Sequence, residues 1–403
     1  MKKVLVIATT FPRWKNESTP GFVFHLSRLL TKKYDVFAEV PHTYKAKKSE
    51  IIDKVKVHRF RYFLPEKLQK LCYNGGILPN IRKSALAKMQ VPFLLFSEFF
   101  SILRTIKKEK INFVHAHWIL PQGFLAAIIK KMYNVPFIVT VHAGDIFPLK
   151  NPLLKKIAKF TLKNCSICTV NSVATKIATQ KLTKKIPEIK IIPMGVDLKL
   201  FNPKKNDSNL KKQLGIGGKV VLVVGRLAEK KGLKYLIQAF PQVLKKFPKA
   251  KLIIIGEGPE KDNLKQITKN LKLNNNIFFL GEIKNQYLPR YYSIADVFVL
   301  PSIIAKNGDT EGLGVVLLEA IATGTPVIGS NVGGIPDIIV NNKMGLLVEQ
   351  KNTIQLSKSI IKILSDNKLR KEFIKTANNH VKEKYSWEKV SKNFLEIYDE
   401  LEL

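Results

Sequence analysis

The sequence predicts an α/β protein built from two doubly wound domains, each with a largely parallel sheet. The chain has 403 residues, 45% of them apolar, which suffices for two domains of roughly 150–200 residues with separate cores. Both halves begin with a short apolar run followed by turn residues, at 3–8 and at 219–224. Such continuous apolar runs are typical of strands buried on both faces of a parallel sheet.

Further strand-like and helix-like segments alternate along the chain. The strand-like runs lie at 36–40, 55–60, 113–116, 137–141, 167–170, 252–255, 277–280, 297–300, 327–329 and 345–348. Helical patterns lie between them, for example at 21–30, 123–131, 233–247 and 314–322. This alternation predicts right-handed crossovers onto parallel sheets.

The segment 199–218 is polar and rich in Lys, Asn and Gly, and it is predicted to link the two domains. The expected domains are 1–198 and 199–384. Binding loops are expected at the carboxyl ends of the strands, and the cleft between the domains is the expected active site.

The charge is strongly basic and unevenly distributed. The formal net charge is +37, and residues 1–200 carry 36 basic and 11 acidic side chains. Basic clusters at 45–48, 59–61 and 107–110 lie near the aromatic stretch 93–100, a combination that suits an anionic membrane surface. No helix-turn-helix, zinc-finger or RNA-binding motif accompanies the charge, so nucleic acid is not the expected partner.

Neither a secretory leader nor a membrane span is predicted. The apolar run after Met1 is short, and the most apolar stretch, 91–103, is too short for a span and contains Glu98. A cytoplasmic protein is expected, with possible peripheral attachment to the membrane. Cys165 and Cys168 form an isolated C-x-x-C, which is expected to be structural rather than a metal or redox site.

The segment 309–337 carries the most informative pattern. Glu311 precedes Gly312, Leu313 and Gly314, and an apolar helix containing Glu319 follows. Glycines permit close approach of a ligand to the backbone, and a helix start offers free N–H groups, so the segment predicts a phosphate cradle. The two carboxylates can accept hydrogen bonds from sugar hydroxyls nearby. A close-packed turn is the alternative explanation for the glycines.

Two further clusters follow predicted strands. Arg226 can make a forked contact with a diphosphate and Lys231 can add a point charge, whereas Lys230 is expected to be solvated. His142 lies at a strand end beside Asp145, and His117 ends another strand. These histidines suggest an acceptor pocket or a structural role, rather than a metal site.

Together these motifs resemble those of the retaining nucleotide-sugar glycosyltransferases of family 4, which have the GT-B architecture of two Rossmann-like domains facing a central cleft. The resemblance covers nearly the whole chain. It is carried by the E-x7-E element from Glu311 to Glu319, by Gly225-Arg226-Leu227 with Lys231-Gly232, and by the segments 20–23, 193–197, 296–302, 324–327, 333–337 and 385–387. The final helix, 385–403, resembles the segment that crosses back onto the first domain.

The resemblance implies roles for individual residues. Arg226 and Lys231 would bind the donor diphosphate, Glu311 the donor-sugar hydroxyls and Glu319 the ribose. The remaining donor-side residues would be Gly21, Gly281, Ile283, Gly312, Leu313 and Gly314. His142 would contact the donor sugar at the reacting face. Asp145 would either support His142 or lie on the acceptor side, where His117 would also lie.

The resemblance also implies the reaction. A hexose-type sugar would pass from a UDP, GDP or ADP donor to a lipid-linked or cell-surface glycan, with retention and without an essential metal or other cofactor. A soluble enzyme with a small phosphorylated acceptor is the main alternative. A nucleotide-sugar epimerase and a basic nucleic-acid-binding protein are weaker alternatives.

Overall fold

The structure is a computed structural model, and it describes residues 1–14, 17, 21–73, 76–205 and 208–401. Pro20 of the family pattern and residues 402–403 of the expected returning helix lie outside the described residues. The chain forms two compact units. The first comprises Met1–Asn171, Lys176–Ile192 and Val390–Leu403, and the second comprises Ser172–Thr175 and Pro193–Lys389. The domain boundaries given above, at 198 and 384, stay a prediction.

The first unit contains an eight-stranded sheet. Its strands are β1 Lys3–Ile7, β2 Asp35–Pro41, β3 Ser49–Ile52, β4 Val55–Phe60, β5 Phe113–His117, β6 Phe137–Val141, β7 Ile167–Val170 and β8 Ile189–Ile191. Their order is β3-β4-β2-β1-β5-β6-β7-β8, and only β3 and β4 pair antiparallel. The strands β5, β6 and β7 are buried along their whole length, which explains why most of their residues are apolar.

The second unit contains a six-stranded sheet in which every pair is parallel. Its strands are β9 Val220–Val224, β10 Lys251–Ile255, β11 Ile277–Gly281, β12 Val297–Leu300, β13 Val327–Ser330 and β14 Leu346–Val348. Their order is β11-β10-β9-β12-β13-β14. All six carboxyl ends therefore lie along one edge of the sheet, where the loops of this fold class carry ligand sites.

Helices follow the strands along the chain. They are α1 Phe22–Leu30, α2 Ile77–Lys83, α3 Ala85–Glu109, α4 Phe124–Tyr133, α5 Ala143–Ile146, α6 Pro152–Asn164, α7 Val173–Leu182, α8 Ser208–Gln213, α9 Leu233–Lys246, α10 Lys261–Asn270, α11 Leu288–Ile294, α12 Val315–Ala322, α13 Ile335–Ile338, α14 Thr353–Ser365, α15 Asn367–Tyr385 and α16 Trp387–Glu400. The apolar faces of α9 and α14 cover the second sheet, where Ile237, Phe240 and Ile360 are fully buried.

Every run predicted as a strand forms one, but β3 and β8 were not predicted. Only one residue of β3 and one of β8 is buried, so neither carries a continuous apolar run. The basic cluster 59–61 also differs from the prediction. Arg59 is buried, pairs with Glu50 at 2.6 Å and donates to the carbonyl of Pro12, so it does not add to the basic surface.

Helix α3 corrects the expectation that no segment is long enough to span a membrane. The apolar stretch 91–103 belongs to a 25-residue helix, and by length and composition this helix passes for a membrane span. One face of it is nevertheless buried in the first unit, through residues spaced three or four apart: Ala87, Gln90, Leu94, Glu98, Ile102 and Ile106. The helix is therefore a packed element of the unit.

Candidate active site

The residues predicted to bind the donor line the carboxyl edge of the second sheet. Gly225 and Arg226 follow β9, Gly281 ends β11, and Glu311 and the start of α12 lie in the connection after β12. Because β11, β9 and β12 belong to one parallel sheet, these residues all lie at the same edge. The structure thus brings the predicted donor residues of the second unit to one side of it.

Lys231 and Glu311 form a close ion pair. Nζ of Lys231 lies 2.6 Å from Oε2 of Glu311, and the hydroxyl of Ser302 donates to the same oxygen at 3.3 Å. Burial by itself would raise the pKa of Glu311, but the ammonium groups of Lys231 and Lys230 outweigh burial and hold that pKa below its ordinary value. Glu311 is therefore an ionised acceptor, and Oε1 has no protein donor among the described residues.

Lys230 does not lie in solvent as expected, and that prediction was wrong. Its ammonium donates to Oδ1 of Asp309 at 3.1 Å and to the carbonyl oxygen of Thr310 at 3.2 Å. Its own carbonyl accepts the N–H of Ile303. Through these hydrogen bonds Lys230 positions the segment that precedes Glu311.

Arg226 is a cation at the carboxyl edge of the second sheet that could bind an anionic ligand. Its side chain is exposed, and within the described ranges no carboxylate or carbonyl pairs with its guanidinium. The end of the Lys231 side chain lies beside Gly225, close enough that a Cβ there would be 3.8 Å from Nζ. A forked guanidinium without a protein partner among the described residues suits a diphosphate.

The glycine loop before α12 is held by backbone packing. Gly314 has φ +93° and precedes the helix, and no side chain of the described residues caps it. Gly333 has φ +57°, and a Cβ on it would lie 2.0 Å from the carbonyl oxygen of Glu311. Gly334 donates its N–H to that same carbonyl at 3.1 Å. These contacts show a close-packed turn, the alternative explanation for the glycines, and the phosphate cradle at the helix start stays a prediction. Leu313 is buried beneath the loop.

Glu319 lies one turn inside α12 and is held by a buried tyrosine. The hydroxyl of Tyr292 on α11 donates to Oε2 of Glu319 at 2.7 Å. Burial raises the pKa of Glu319 to about 7, and the hydrogen bond from Tyr292 partly opposes this rise. Glu319 therefore titrates near neutral pH.

Gly281 ends the edge strand β11 and Ile283 follows it; by the family resemblance these residues would lie near the nucleotide base. Gly281 has φ +72° and accepts the N–H of Gly256 at 2.7 Å. Ile283 is partly exposed beyond it. Their contact with a nucleotide base stays a prediction.

In the first unit, the structure brings His117 and His142 together. Nδ1 of His117 lies 3.1 Å from Nε2 of His142, and the rings stack with their centroids 5.4 Å apart. Burial lowers the pKa of His142 to about 3 and lowers that of His117 well below its ordinary value. Both rings are therefore neutral at physiological pH, and one ring nitrogen donates to the other. Nε2 of His117 is buried without a partner among the described residues.

Two aromatic rings that the motif analysis did not assign surround His142. The rings of Phe22 and Trp118 lie 4.9 and 5.0 Å from its ring, centroid to centroid. Phe22 is the first residue of α1, so it brings the preceding Gly21 to the same site. Trp118 has φ +74°, a strained backbone conformation of the kind that occurs at functional sites.

Asp145 does not support the His142 ring through a hydrogen bond. Oδ2 of Asp145 accepts the N–H of Ile119 at 2.6 Å, and Oδ1 is buried without a partner in the described part of the chain. Burial raises the pKa of Asp145 to about 8, so it is largely protonated at neutral pH. A buried carboxyl oxygen without a partner is consistent with the acceptor-side assignment.

His115 and the two cysteines of the C-x-x-C pair are buried in structural positions. Nδ1 of His115 lies 2.6 Å from the hydroxyl of Tyr398 and Nε2 lies 2.7 Å from that of Thr140, so both ring nitrogens are occupied. Burial raises the pKa of Cys165 to about 12 and that of Cys168 well above its usual value. The described residues contain no group of three His, Cys, Asp or Glu side chains that could hold a metal ion.

Two family models match this chain, and several relatives are similar to it. The model of the family described as "Glycosyl transferases group 1" matches residues 206–380, and "Glycosyltransferase Family 4" matches residues 56–200. A GDP-mannose-dependent monoacylated alpha-(1-6)-phosphatidylinositol monomannoside mannosyltransferase of Corynebacterium glutamicum is 34% identical over 292 residues, 70% of this chain and 75% of that protein. The chain belongs to the group 1 glycosyltransferases of family 4. It is therefore an enzyme that transfers a sugar from a nucleotide-sugar donor.

One further relative and one solved structure are also similar to this family 4 glycosyltransferase. A D-inositol 3-phosphate glycosyltransferase of Corynebacterium urealyticum is 26% identical over 341 residues, 78% of this chain and 78% of that protein. The solved sucrose-phosphate synthase of Thermosynechococcus elongatus superposes with a TM-score of 0.82 at 22% identity, covering 100% of this chain and 99% of that one. The predicted fold class, α/β of the GT-B type with two Rossmann-like domains, is confirmed.

The sequence motifs predicted no role for Tyr292, Ser302, Phe22 or Trp118, although Phe22 and Ser302 lie in segments that carry the family resemblance. Ser302 directly follows a predicted strand, so the rule that sites lie at carboxyl ends of strands would have found it. Tyr292 lies on a separate helix, 27 residues before Glu319, and no local pattern indicates that the two side chains meet.

Proposed function

We propose that this glycosyltransferase transfers a hexose-type sugar, with retention at the anomeric carbon and without an essential metal, to a lipid-linked or cell-surface glycan. Its proposed place is the cytoplasmic face of an anionic membrane, to which the first unit attaches peripherally. Nucleic acid is not a proposed partner.

The proposal rests chiefly on Arg226. Its exposed guanidinium has no protein partner among the described residues, and Arg226 directly follows Gly225, against which the end of the Lys231 side chain lies. Two cations at this edge of the sheet can offset the charge that develops on a departing diphosphate, which is the task that a metal performs in other phosphate-binding sites.

The reaction proposed here exchanges one bond at the anomeric carbon. The bond to the diphosphate oxygen breaks while the acceptor oxygen bonds to the same face, and the acceptor proton passes to the leaving phosphate oxygen. Glu311 holds hydroxyls of the donor sugar, Glu319 holds the ribose, and the amides of Gly312 to Gly314 hold phosphate and sugar. His142, being neutral, contributes a hydrogen bond at the reacting sugar.

The proposed acceptor is supported by the relative that acts on a phosphatidylinositol monomannoside and by the basic, aromatic surface of the first unit. A small phosphorylated acceptor is the second candidate. It is favoured by the similarity to the D-inositol 3-phosphate glycosyltransferase.

The first experiment is a thermal-shift panel of UDP-, GDP- and ADP-sugars, each with Mg²⁺ or with EDTA. A donor that binds the folded state raises the melting temperature by mass action. We expect one nucleotide to give a shift that survives EDTA, followed by transfer whose product keeps the anomeric configuration. An inverted product, or a shift that EDTA abolishes, would overturn the retaining or the metal-independent part of the proposal.

A further inference from the structure

The outer face of α3 is apolar and exposed. Met89, Phe93, Phe96 and Phe100 are 64%, 51%, 65% and 63% exposed, respectively, and we name these four residues the aromatic face. Their spacing of four, three and four residues places them on one side of the helix, opposite the buried side. Contiguous apolar surface of this kind on a soluble domain indicates a site of interaction.

Neighbouring segments extend the aromatic face. The ring of Phe63 packs against that of Phe93, with 5.5 Å between their centroids. Leu64, next in the chain, is 68% exposed, and Leu78 on α2 is 47% exposed. The apolar surface therefore extends from α3 onto the preceding segments of the first unit.

Basic residues flank this apolar surface at both ends. Arg82, Lys83 and Lys88 lie at the start of α3 or just before it, and Arg104 and Lys107 lie near its end; all five are exposed. A helix with exposed aromatic rings between cations matches the chemistry of an anionic bilayer surface, where rings enter the headgroup region and cations meet phosphates.

The packing of α3 favours lying in the interface over crossing the bilayer. Its inner face is buried in the first unit, where Leu94 joins one apolar cluster and Ile102 another. The carboxylate of Glu98, on the same face, accepts hydrogen bonds from Nε2 of Gln122 at 3.0 and 3.2 Å. A span would remove all of these contacts, whereas shallow docking uses only side chains that are already exposed.

We propose that the aromatic face of α3 docks the first unit on an anionic lipid bilayer, with the helix lying in the headgroup region. The inference rests on the proposed function in one respect, that the acceptor is presented at a membrane. A second copy of this chain is a poorer occupant, because pairing two such faces would bring together flanking cations on two chains that each carry a net charge of +37.

Vesicle flotation tests the proposal. The probes are vesicles of phosphatidylcholine alone and vesicles with about 30 mol% phosphatidylglycerol, at about 0.15 M salt so that weak surface attraction is screened. The double variant Phe96→Ser, Phe100→Ser removes two exposed rings. The matched control, Leu153→Ser with Ile354→Ser, changes side chains that are 65% and 67% exposed elsewhere.

We expect wild type and control to float with the anionic vesicles, and the α3 variant to partition roughly tenfold or more weakly, because binding scales with buried apolar area. Reversing the charges of Lys83 and Lys107 by substitution with Glu should weaken binding to anionic vesicles. The effect should be larger than that of the same substitutions at Lys245 and Lys358, which are exposed in the second unit. An α3 variant that floats like wild type would overturn the proposal. Failure of the wild type to bind anionic vesicles would also overturn it. So would light scattering that shows a dimer of the wild type and a monomer of the α3 variant.

Donor binding separates this inference from the proposed function. The α3 variant should keep the thermal shift with the nucleotide sugar and lose only vesicle binding. If wild type floats with anionic vesicles but no nucleotide sugar shifts its melting temperature, the docking surface stands and the proposed reaction fails.

Discussion

Nζ of Lys231 lies 2.6 Å from Oε2 of Glu311, although the two residues are 80 positions apart in the sequence. The pair joins the loop after β9 to the loop before α12, and both side chains are largely buried. Each charge therefore depends on the other, because a buried charge that loses its partner pays a large desolvation penalty.

A double-mutant cycle on this pair separates its structural from its catalytic role. Lys231→Met and Glu311→Gln should each destabilise the protein by about 2–4 kcal/mol, since each leaves a buried partner unpaired. The combined variant should recover much of that loss in urea unfolding. It should still turn over roughly two or more decades more slowly than wild type, because it lacks the groups proposed to hold phosphate and sugar. Full activity in the combined variant would show that the pair only holds the loops.

Arg226→Ala should lower kcat/KM by roughly two or more decades with little change in stability, because the guanidinium is exposed and contacts no carboxylate among the described residues. Lys245→Ala is the matched control, because Lys245 is an exposed cation in the last turn of α9. Steady-state kinetics and a melting curve for each variant suffice. Wild-type kinetics in Arg226→Ala would remove the group on which the proposed diphosphate site depends.

A structural feature of this protein can be predicted from the sequence when the residues that determine it are close together in the chain. Buried parallel strands such as β6 and β9 are apolar at every position except Thr140, so their existence, and their ends to within one residue, could be predicted directly. The glycine loop before α12 could be read for the same reason, because a positive φ at Gly314 requires a local residue type.

Contacts between distant segments could not be read in this way. Nothing in the stretch around Lys230 shows that its ammonium reaches Asp309, so it resembled a solvated lysine. Likewise, Arg59 was predicted to add to the surface charge, although its guanidinium donates to the carbonyl of Pro12, 47 positions earlier in the chain. In both cases the sequence pattern shows a charged side chain, while tertiary packing decides whether water or protein satisfies it.

Gly333→Ala should displace Glu311. A Cβ at this position would lie 2.0 Å from the carbonyl oxygen of Glu311, and φ is +57°, so both the space and the backbone oppose the change. We expect kcat/KM to fall by roughly tenfold or more, as a misplaced positioning group does. Gly217→Ala is the control, because a Cβ there meets nothing within 4 Å. Equal activities of the two variants would contradict the view that Gly333 sets the position of Glu311.

Glu98→Gln should stabilise the protein at alkaline pH. Burial raises the pKa of Glu98 from 4.5 to about 8, so its contribution to the free energy of unfolding is fully present below about pH 4.5 and is lost as pH rises through about 8. The amide of the variant does not ionise, and it offers a donor to Oε1 of Gln122, which has no partner among the described residues. The variant should therefore exceed wild type by on the order of 2–4 kcal/mol near pH 9 and match it near pH 5. Glu188→Gln, at an exposed position, should follow wild type throughout.

Tyr292→Phe should move the acid limb of the pH–activity profile. Burial raises the pKa of Glu319 to about 7, and the hydroxyl of Tyr292 opposes that rise by donating to Oε2 at 2.7 Å. Without this donor the pKa of Glu319 rises further. If the ionised carboxylate holds the ribose, kcat/KM then starts to fall at a higher pH, by roughly half a unit to one unit, while activity well above pH 8 stays close to wild type.

The adjacent tyrosine provides the control for this prediction. Tyr291→Phe removes a hydroxyl from the same helix, and that hydroxyl donates to nothing in the described ranges, so its profile should coincide with that of wild type. An acid limb that moves equally in both variants would point to a general change in α11. An acid limb that moves in neither would show that Glu319 does not need to be ionised for the reaction, and its role as the ribose acceptor would then be lost.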